Sequence, residues 1–309
     1  MDFGFLGVLC ALCGQLVFSV VSFSALAASI ELRDDRGKIV ALTRPAQRIV
    51  AAAPHLTELA FAAGAGAQLV GVARFSDFPQ AALGVTQVGD AARIDVERVI
   101  ALEPDLILAW KSGNQAGDIE RLERLGYAVF VSEPARLSDI PRLLRAIGTL
   151  AGNAPAAERA AAAFEQDLRS LRAQFGAAPK VRVFYEVWHR PLITVNGAHM
   201  ISDVITLCGG ENVFAAVPLL TPTVSLEAVA AARPEVILGG SQAQGGAEFA
   251  REWRAAAVGT LRELPAFHVD PDLIQRQTSR IVEGARAICA HLERVRGSRQ
   301  DAKGAKETY

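Results

Sequence analysis

Short apolar runs alternate with amphipathic segments through the first half of the chain. Residues 48–53 have the composition of a buried strand, and residues 57–64 follow as a short helix that ends at a glycine. Further strands are predicted at 70–72, 106–110 and 128–132, and further helices at 95–102, 118–125 and 139–150. Such alternation is typical of a parallel sheet covered by helices.

A long helix interrupts this alternation at residues 155–175. Its apolar side chains are spaced so that they form one stripe along a single face: Phe164, Leu168, Leu171 and Phe175. After Pro179 the alternation resumes, with strands at 181–187 and 236–239 and helices near 201–207 and from Leu226. The pattern predicts two Rossmann-like α/β lobes with central parallel sheets, joined by one long helix.

This organisation divides the chain into five segments. They are a signal peptide at 1–28, an N-terminal α/β lobe at 29–152, a connecting helix at 153–177, a C-terminal α/β lobe at 178–296 and a disordered polar tail at 297–309. A length of 309 residues with 51% hydrophobic residues is sufficient for two cores of ordinary size.

The two lobes share a weak internal repeat. Residues 95–110 align without gaps with residues 225–240, at a constant offset of 130 positions, and Glu97 matches Glu227. A helix, a proline break and a buried strand can match by chance, and a glutamate in a first helical turn is favoured by the helix dipole alone. The repeat nevertheless suggests two copies of one unit, each with an exposed acidic residue.

The N-terminal residues 1–28 are apolar with a single charge, Asp2, and they end in small residues. This pattern predicts a cleaved signal peptide, although the missing basic start leaves an uncleaved membrane anchor as the alternative. Cleavage would remove Cys10 and Cys13 and leave Cys208 and Cys289 in an oxidising compartment. We therefore predict a Cys208–Cys289 disulfide, with two buried thiols too far apart to bond as the alternative.

Charge and motifs exclude several classes of function. The chain has 32 basic and 33 acidic residues, so no electrostatic attraction to nucleic acid or an anionic membrane is expected. No motif of a serine hydrolase, zinc peptidase or phosphate-binding loop is present, and the five histidines are scattered. The sequence thus offers neither a catalytic constellation nor a metal site.

Aromatic and polar residues instead follow the predicted strands. Phe75 follows the second strand, Trp110 ends the strand at 106–110, and Trp188 and His189 follow the strand at 181–187. Ligands bind at the carboxyl ends of parallel strands, and two tryptophans in different lobes would suit a large flat ligand. Packing of these tryptophans in a core or interface is the alternative.

Several segments together resemble the cobalamin-binding periplasmic proteins of bacterial corrinoid importers, which belong to the helical-backbone (class III) substrate-binding proteins. The matching segments are TELAFAAG, FSDFP, VERVIALEPDLILAW with KSGN, and CGGENVF, and the resemblance covers residues 48–292. It implies that the connecting helix is rigid and that a ligand lies in the cleft between the lobes. It also implies a bridge between Cys208 and Cys289.

The resemblance also assigns roles to individual residues. Phe75, Trp110 and Asp272 lie at ligand-contacting positions, and Glu97 and Glu227 lie where relatives dock on a permease. Ala91 and Thr221 depart from the family pattern, since relatives have tryptophan there. Trp188, with His189, is our hypothesis for a replacement stacking surface.

The sequence therefore predicts a periplasmic, monomeric carrier that captures cobalamin or a related corrinoid and delivers it to the permease dimer of an ABC transporter. Cobalamin is the transported ligand, and no catalytic cofactor is expected. One alternative is the same role for haem or a ferric siderophore, which would favour ligation by tyrosine or histidine, or an arginine cluster on anionic groups; Tyr185 lies in the middle of a predicted strand and no arginine cluster is evident in the sequence. The others are a periplasmic α/β enzyme and a membrane-anchored binding module.

Overall fold

The computed structural model of the protein describes residues 29–240 and 245–307. The predicted signal peptide at 1–28, with Cys10 and Cys13, lies outside the described residues. Within the two described ranges, no helix is both long enough and apolar enough to cross a membrane.

The first lobe contains a five-stranded sheet in the order β5-β4-β3-β6-β7, in which every neighbouring pair is parallel. A separate antiparallel hairpin, β1 with β2, precedes this sheet. The strands are β1 (Ile30–Arg33), β2 (Ile39–Leu42), β3 (Ile49–Ala51), β4 (Leu69–Val72), β5 (Thr86–Gln87), β6 (Leu106–Trp110) and β7 (Val129–Ser132). The helices are α1 (Pro54–Ala62), α2 (Val96–Ala101), α3 (Ala116–Arg124) and α4 (Asp139–Leu150).

The second lobe contains a four-stranded parallel sheet in the order β11-β10-β8-β9. It is joined to the first lobe by helix α5 (Ala154–Phe175). Its strands are β8 (Val181–Glu186), β9 (Gly210–Asn212), β10 (Val236–Gly239) and β11 (Ala266–His268). Its helices are α6 (Met200–Leu207), α7 (Leu226–Ala231), α8 (Gly246–Ala256), α9 (Pro271–Ile274) and α10 (Ile281–Glu307). The predicted pair of α/β lobes with parallel sheets is confirmed.

Both faces of the first sheet are covered, and this explains its continuous apolar strands. In β6, Leu106 and Leu108 join one hydrophobic cluster, whereas Ile107 and Ala109 join another on the opposite face. Successive side chains of a strand point to opposite faces, so a strand buried on both sides must be apolar at every position. The ends of such strands are where polar groups can reach solvent.

Helix α5 packs against both lobes. Its buried side chains, Ala157, Ala161, Phe164 and Leu171, lie along one face and belong to a hydrophobic cluster with members in both sheets. Gly148 of α4 allows the closest approach, because a Cβ there would lie 2.2 Å from the Cβ of Ala157. The predicted apolar stripe is thus the surface that holds the two lobes together.

The internal repeat extends from the sequence to the backbone and to its hydrogen bonds. Glu103 and Arg233, 130 positions apart, both have φ of 46° in the turn after α2 and after α7. In the first lobe Arg48 donates to the carbonyls of Leu102 and Glu103, and in the second Arg182 donates to those of Ala232 and Arg233. The same turn is therefore held in the same way in both lobes.

The predicted Cys208–Cys289 disulfide is confirmed, with an S–S distance of 2.02 Å. Cys208 caps the C-terminus of α6 and Cys289 lies within α10, and both are fully buried. The bridge ties α10 to the second lobe and closes a loop with a sequence separation of 81 residues.

The end of the chain differs from the prediction. Residues 297–307, which we expected to form a disordered tail, continue helix α10. Six of these eleven residues are alanine, lysine, arginine or glutamate, which have high helix propensity, so an established helix extends through the stretch despite its polarity and its two glycines. The other boundaries of the five predicted segments remain predictions.

Replacing both Cys208 and Cys289 with alanine should lower the free energy of unfolding by about 2–4 kcal/mol, because the bridge restricts the unfolded chain. Urea denaturation followed by circular dichroism measures this loss. Dithiothreitol should lower the midpoint of the wild type to a similar extent and leave the double variant unchanged. Equal midpoints of the wild type and the double variant would contradict a stabilising bridge.

Candidate functional site

Charged residues that follow the strands of the two lobes meet in a network between the lobes. Glu58 lies in α1, which follows β3, and Arg276 and Arg280 lie between α9 and α10. Arg280 donates to both carboxylate oxygens of Glu58 at 2.8 Å, and Arg276 contacts the same carboxylate at 3.1 Å. The carboxyl edges of the two sheets therefore face each other, as expected for a cleft that binds a ligand.

The loop after β4 joins this network. Arg276 donates to Asp77 at 2.6 Å and contacts Asp272 at 3.1 Å, so one guanidinium links a residue of each lobe. The hydrogen bond from Arg276 holds the pKa of Asp77 below its usual value. Arg280 also lies over the ring of Phe78, 4.0 Å from its centroid. We call Glu58, Asp77, Asp272, Arg276 and Arg280 the interlobe network.

Phe75 lies in the same loop and exposes 65% of its surface. Its φ of 67° places it in the left-handed region, which is costly for a bulky residue without compensation. The adjacent Ser76 is buried and its hydroxyl is 2.9 Å from that of Thr57 in α1. The loop is thus anchored at Ser76 while the phenyl ring of Phe75 remains available to a ligand.

Trp110 ends β6 and is half-buried. Its ring and that of His55 meet edge to face, with 5.1 Å between centroids, and a Cβ on Gly113 would lie 1.8 Å from the indole. Asn114 accepts the backbone N–H of Trp110 and donates to the carbonyls of Ala52 and Ala91. The indole is therefore held in one position by a loop that needs glycine at 113.

His55 is enclosed beneath this tryptophan. Burial lowers the pKa of its imidazole to about 3, so the ring is neutral at physiological pH. Its Nε2 is buried and has no hydrogen-bond partner in the part of the chain that the structure describes. We conclude that His55 supports Trp110 and does not itself reach a ligand in the cleft.

Trp188 and His189 follow β8 in the second lobe. Trp188 is 54% exposed, and its indole N–H donates to the carbonyl of Arg190. Behind it, His189 Nδ1 lies 3.3 Å from the carboxylate of Glu186, which also accepts the indole N–H of Trp253. Burial raises the pKa of Glu186, and the adjacent His189 opposes this shift. The second lobe thus presents an exposed aromatic side chain beside a partly exposed imidazole.

The structure places the sequence-predicted residues in two groups. Asp272 is joined through Arg276 to Asp77, which lies two residues from Phe75, so the loop that carries Phe75 contacts the second lobe. Trp110 and the pair of Trp188 and His189 lie at the carboxyl ends of β6 and β8, one in each lobe. No described group of three His, Cys, Asp or Glu side chains could hold a metal ion.

Sequence reasoning missed the basic half of the interlobe network. We found no arginine cluster, yet Arg276 and Arg280 come together beside Glu58, more than 200 residues away in the sequence. Two signals were present: Glu58 is the one charged carboxylate in the buried helix α1, and the two arginines are spaced four apart. A charge inside a buried helix requires a partner, although the sequence does not say which one.

Glu97 and Glu227 lie in the first turns of α2 and α7, which are capped by Asp95 and Ser225. Both glutamates are exposed, and Glu97 contacts Arg121 at 2.8 Å. The pKa of Glu97 is lowered by its own backbone amide and by Arg121, and that of Glu227 by Ser225 and its own backbone amide. Both carboxylates are therefore ionised at neutral pH.

A cavity of about 1050 Å³ lies away from this cleft. It is lined by α4, α5 and α6 and by Lys180, which precedes β8 at the opposite edge of the second sheet. Size alone therefore does not locate the site, whereas the strand ends and the interlobe network do.

The chain is similar to known periplasmic binding proteins over most of its length. Residues 49–263 match the family described as "Periplasmic binding protein". The vitamin B12-binding protein of Vibrio campbellii is 35% identical over 255 residues, which cover 82% of this chain and 92% of the relative.

Solved structures agree with this match. The periplasmic vitamin B12 binding protein BtuF of Vibrio cholerae superimposes with a TM-score of 0.74 at 33% identity, covering 82% of this chain and 98% of that one. A periplasmic heme binding protein from Pseudomonas aeruginosa has a TM-score of 0.69 at 25% identity, with coverages of 80% and 92%. The chain therefore belongs to the periplasmic binding protein family.

Proposed function

We propose that the protein binds cobalamin or a closely related corrinoid in the cleft between its lobes and delivers it to the permease of an ABC importer. The observation that carries this proposal is the pairing of exposed aromatic side chains with a polar network at the carboxyl edges of both sheets. The similarity to vitamin B12-binding proteins over 82% of the chain supports it. The protein would act as a carrier, not as an enzyme, in the periplasm after removal of residues 1–28.

The chemistry of a corrinoid fits this cleft. A corrin ring offers a broad apolar face, which Phe75, Trp110 and Trp188 can cover by stacking or edge contacts. Amide side chains around the ring need hydrogen-bond donors and acceptors, which Asp272 and Arg276 provide. The aromatic residues would supply most of the binding free energy, and the polar pair would fix the orientation of the ligand.

Haem is the second candidate, because a heme binding protein is among the structural neighbours. Haem carries two carboxylates and needs uncompensated cations, whereas Arg276 and Arg280 already contact Glu58. The phenol of Tyr185 is fully buried and therefore cannot reach an iron centre in the cleft. The balance of charge in the interlobe network thus favours a neutral, amide-rich ligand.

Glu97 and Glu227 would dock the protein on the permease. They occupy equivalent first turns in the two lobes, both are exposed, and both are ionised. Two equivalent acidic side chains suit a partner with two-fold symmetry and a basic pocket in each half. Docking would strain the interlobe network and so promote release of the ligand.

Trp110→Ala should weaken the binding of cyanocobalamin about 30-fold, corresponding to about 2 kcal/mol for loss of a central aromatic contact. Isothermal titration of the mature protein measures the affinity, with haemin titrated under the same conditions. Leu125→Ala is the matched control, because Leu125 is 54% exposed at the end of α3, away from the strand ends. Tight binding of haemin with no heat from cobalamin would replace the corrinoid with haem.

Replacing both Glu97 and Glu227 with alanine should leave cobalamin affinity within about twofold of the wild type and reduce uptake at least tenfold, because each removed charge would leave a basic pocket of the permease without its partner. Uptake into vesicles that contain the permease measures this effect. Glu120→Ala, which removes another exposed charge in the first lobe, should leave uptake unchanged. Normal uptake by the double variant would contradict the docking role.

A further inference from the structure

A buried carboxylate lies directly behind the aromatic surface of the second lobe. Glu186 ends β8 and is 1% exposed, and one of its oxygens, Oε2, accepts the indole N–H of Trp253 from α8. The same oxygen lies 3.3 Å from Nδ1 of His189. The carboxylate of Glu186 thus contacts both the indole of Trp253 and the imidazole of His189.

The contact with Glu186 determines which nitrogen of His189 remains available. With Nδ1 turned inward, Nε2 lies on the far side of the ring, and the side chain of His189 is 19% exposed. The ring is held edge-on against Trp253, with 6.3 Å between centroids. Nε2 of His189 has no hydrogen-bond partner within residues 29–240 and 245–307. Unlike the unpaired ring nitrogens of His55, His268 and His291, this atom is not buried.

An imidazole whose Nδ1–H donates to a carboxylate presents the lone pair of Nε2 as a fixed and more basic donor. Histidines that ligate metals in proteins almost always have this arrangement, since the carboxylate sets both the tautomer and the orientation of the ring. The neighbouring Trp188 is 54% exposed and is one of the residues proposed to cover the corrin ring. His189 therefore lies beside the proposed ligand-binding surface. The imidazole of His189 is thus oriented as in metal-ligating histidines.

We propose that Nε2 of His189 coordinates the cobalt of the bound corrinoid, on the face turned toward the second lobe, and that Glu186 is the positioning residue for this bond. The proposal rests on the proposed function. The Nε2 lone pair forms the new cobalt–nitrogen bond, and a water molecule leaves with its own electron pair. Cobalt remains Co(III), and no proton or external reductant takes part. The site would therefore prefer corrinoids whose axial ligand is exchangeable.

The test is the visible absorption spectrum of aquocobalamin bound to the mature protein. Replacement of axial water by imidazole shifts the corrin bands, so binding to the wild type should produce the spectrum of an imidazole complex. Cyanocobalamin, whose cyanide is not displaced by imidazole, should bind without such a shift. Isothermal titration of both ligands gives the affinities separately from the spectra.

His189→Ala and, as a second variant, His189→Gln should bind aquocobalamin with the spectrum of the aqua form. Glu186→Gln keeps an acceptor oxygen but loses the charge. The equilibrium between water and the His189 imidazole as the axial ligand of the cobalt should therefore shift toward water about tenfold or more. Arg190→Ala, in the same loop but without an imidazole, is the matched control and should keep the shift. Thermal unfolding verifies that each variant is folded.

The outcomes separate this inference from the proposed function. A shift that persists in both folded His189 variants, or an aqua spectrum for the wild-type complex, overturns coordination by His189 even though cobalamin binds. Absence of heat with either cobalamin overturns the proposed function itself. A shift lost in both His189 variants and retained in Arg190→Ala supports the coordination.

Discussion

The packing of α5 against both lobes is the constraint on which the rest of the structure depends. Phe164 and Leu171 are buried in a hydrophobic cluster that contains strands of both sheets, and each such side chain contributes about 1.5–3 kcal/mol of burial free energy. Separating the lobes widely would expose this shared surface. The two sheets are therefore held with their carboxyl edges facing one another before any ligand arrives, and the cleft is largely preformed.

The interlobe network works within that constraint. Its contacts between Glu58 and the two arginines cross from one lobe to the other, so a small separation of the lobes would break them. Leaving a buried carboxylate without its partners is costly, which favours the closed arrangement. A partner that binds both lobes could separate them and so break the contacts of Glu58 with the two arginines. The equivalent first turns of α2 and α7, each with an exposed glutamate, offer such a partner one binding point in each lobe.

The two lobes share the same backbone scaffold but carry different side chains at the carboxyl ends of their strands. The repeated turn at Glu103 and Arg233 is held by the same arginine–carbonyl contacts in both lobes. At the strand ends the likeness disappears: the first lobe presents Trp110 over a neutral, buried His55, and the second presents Trp188 beside a partly exposed His189. An asymmetric ligand with two different faces suits a cleft of this kind.

The sequence by itself determined most of the elements up to β10, the two lobes and the apolar stripe of α5, because these depend on local periodicity and on burial along single segments. It also indicated the disulfide, because only one pair of cysteines remains after residue 28. Only the tertiary structure decided the interlobe network, the contact of Glu186 with His189, and β9 and β11, which are three residues long. These features join segments far apart in the chain, where no local pattern indicates which partner a charge or a short strand will meet.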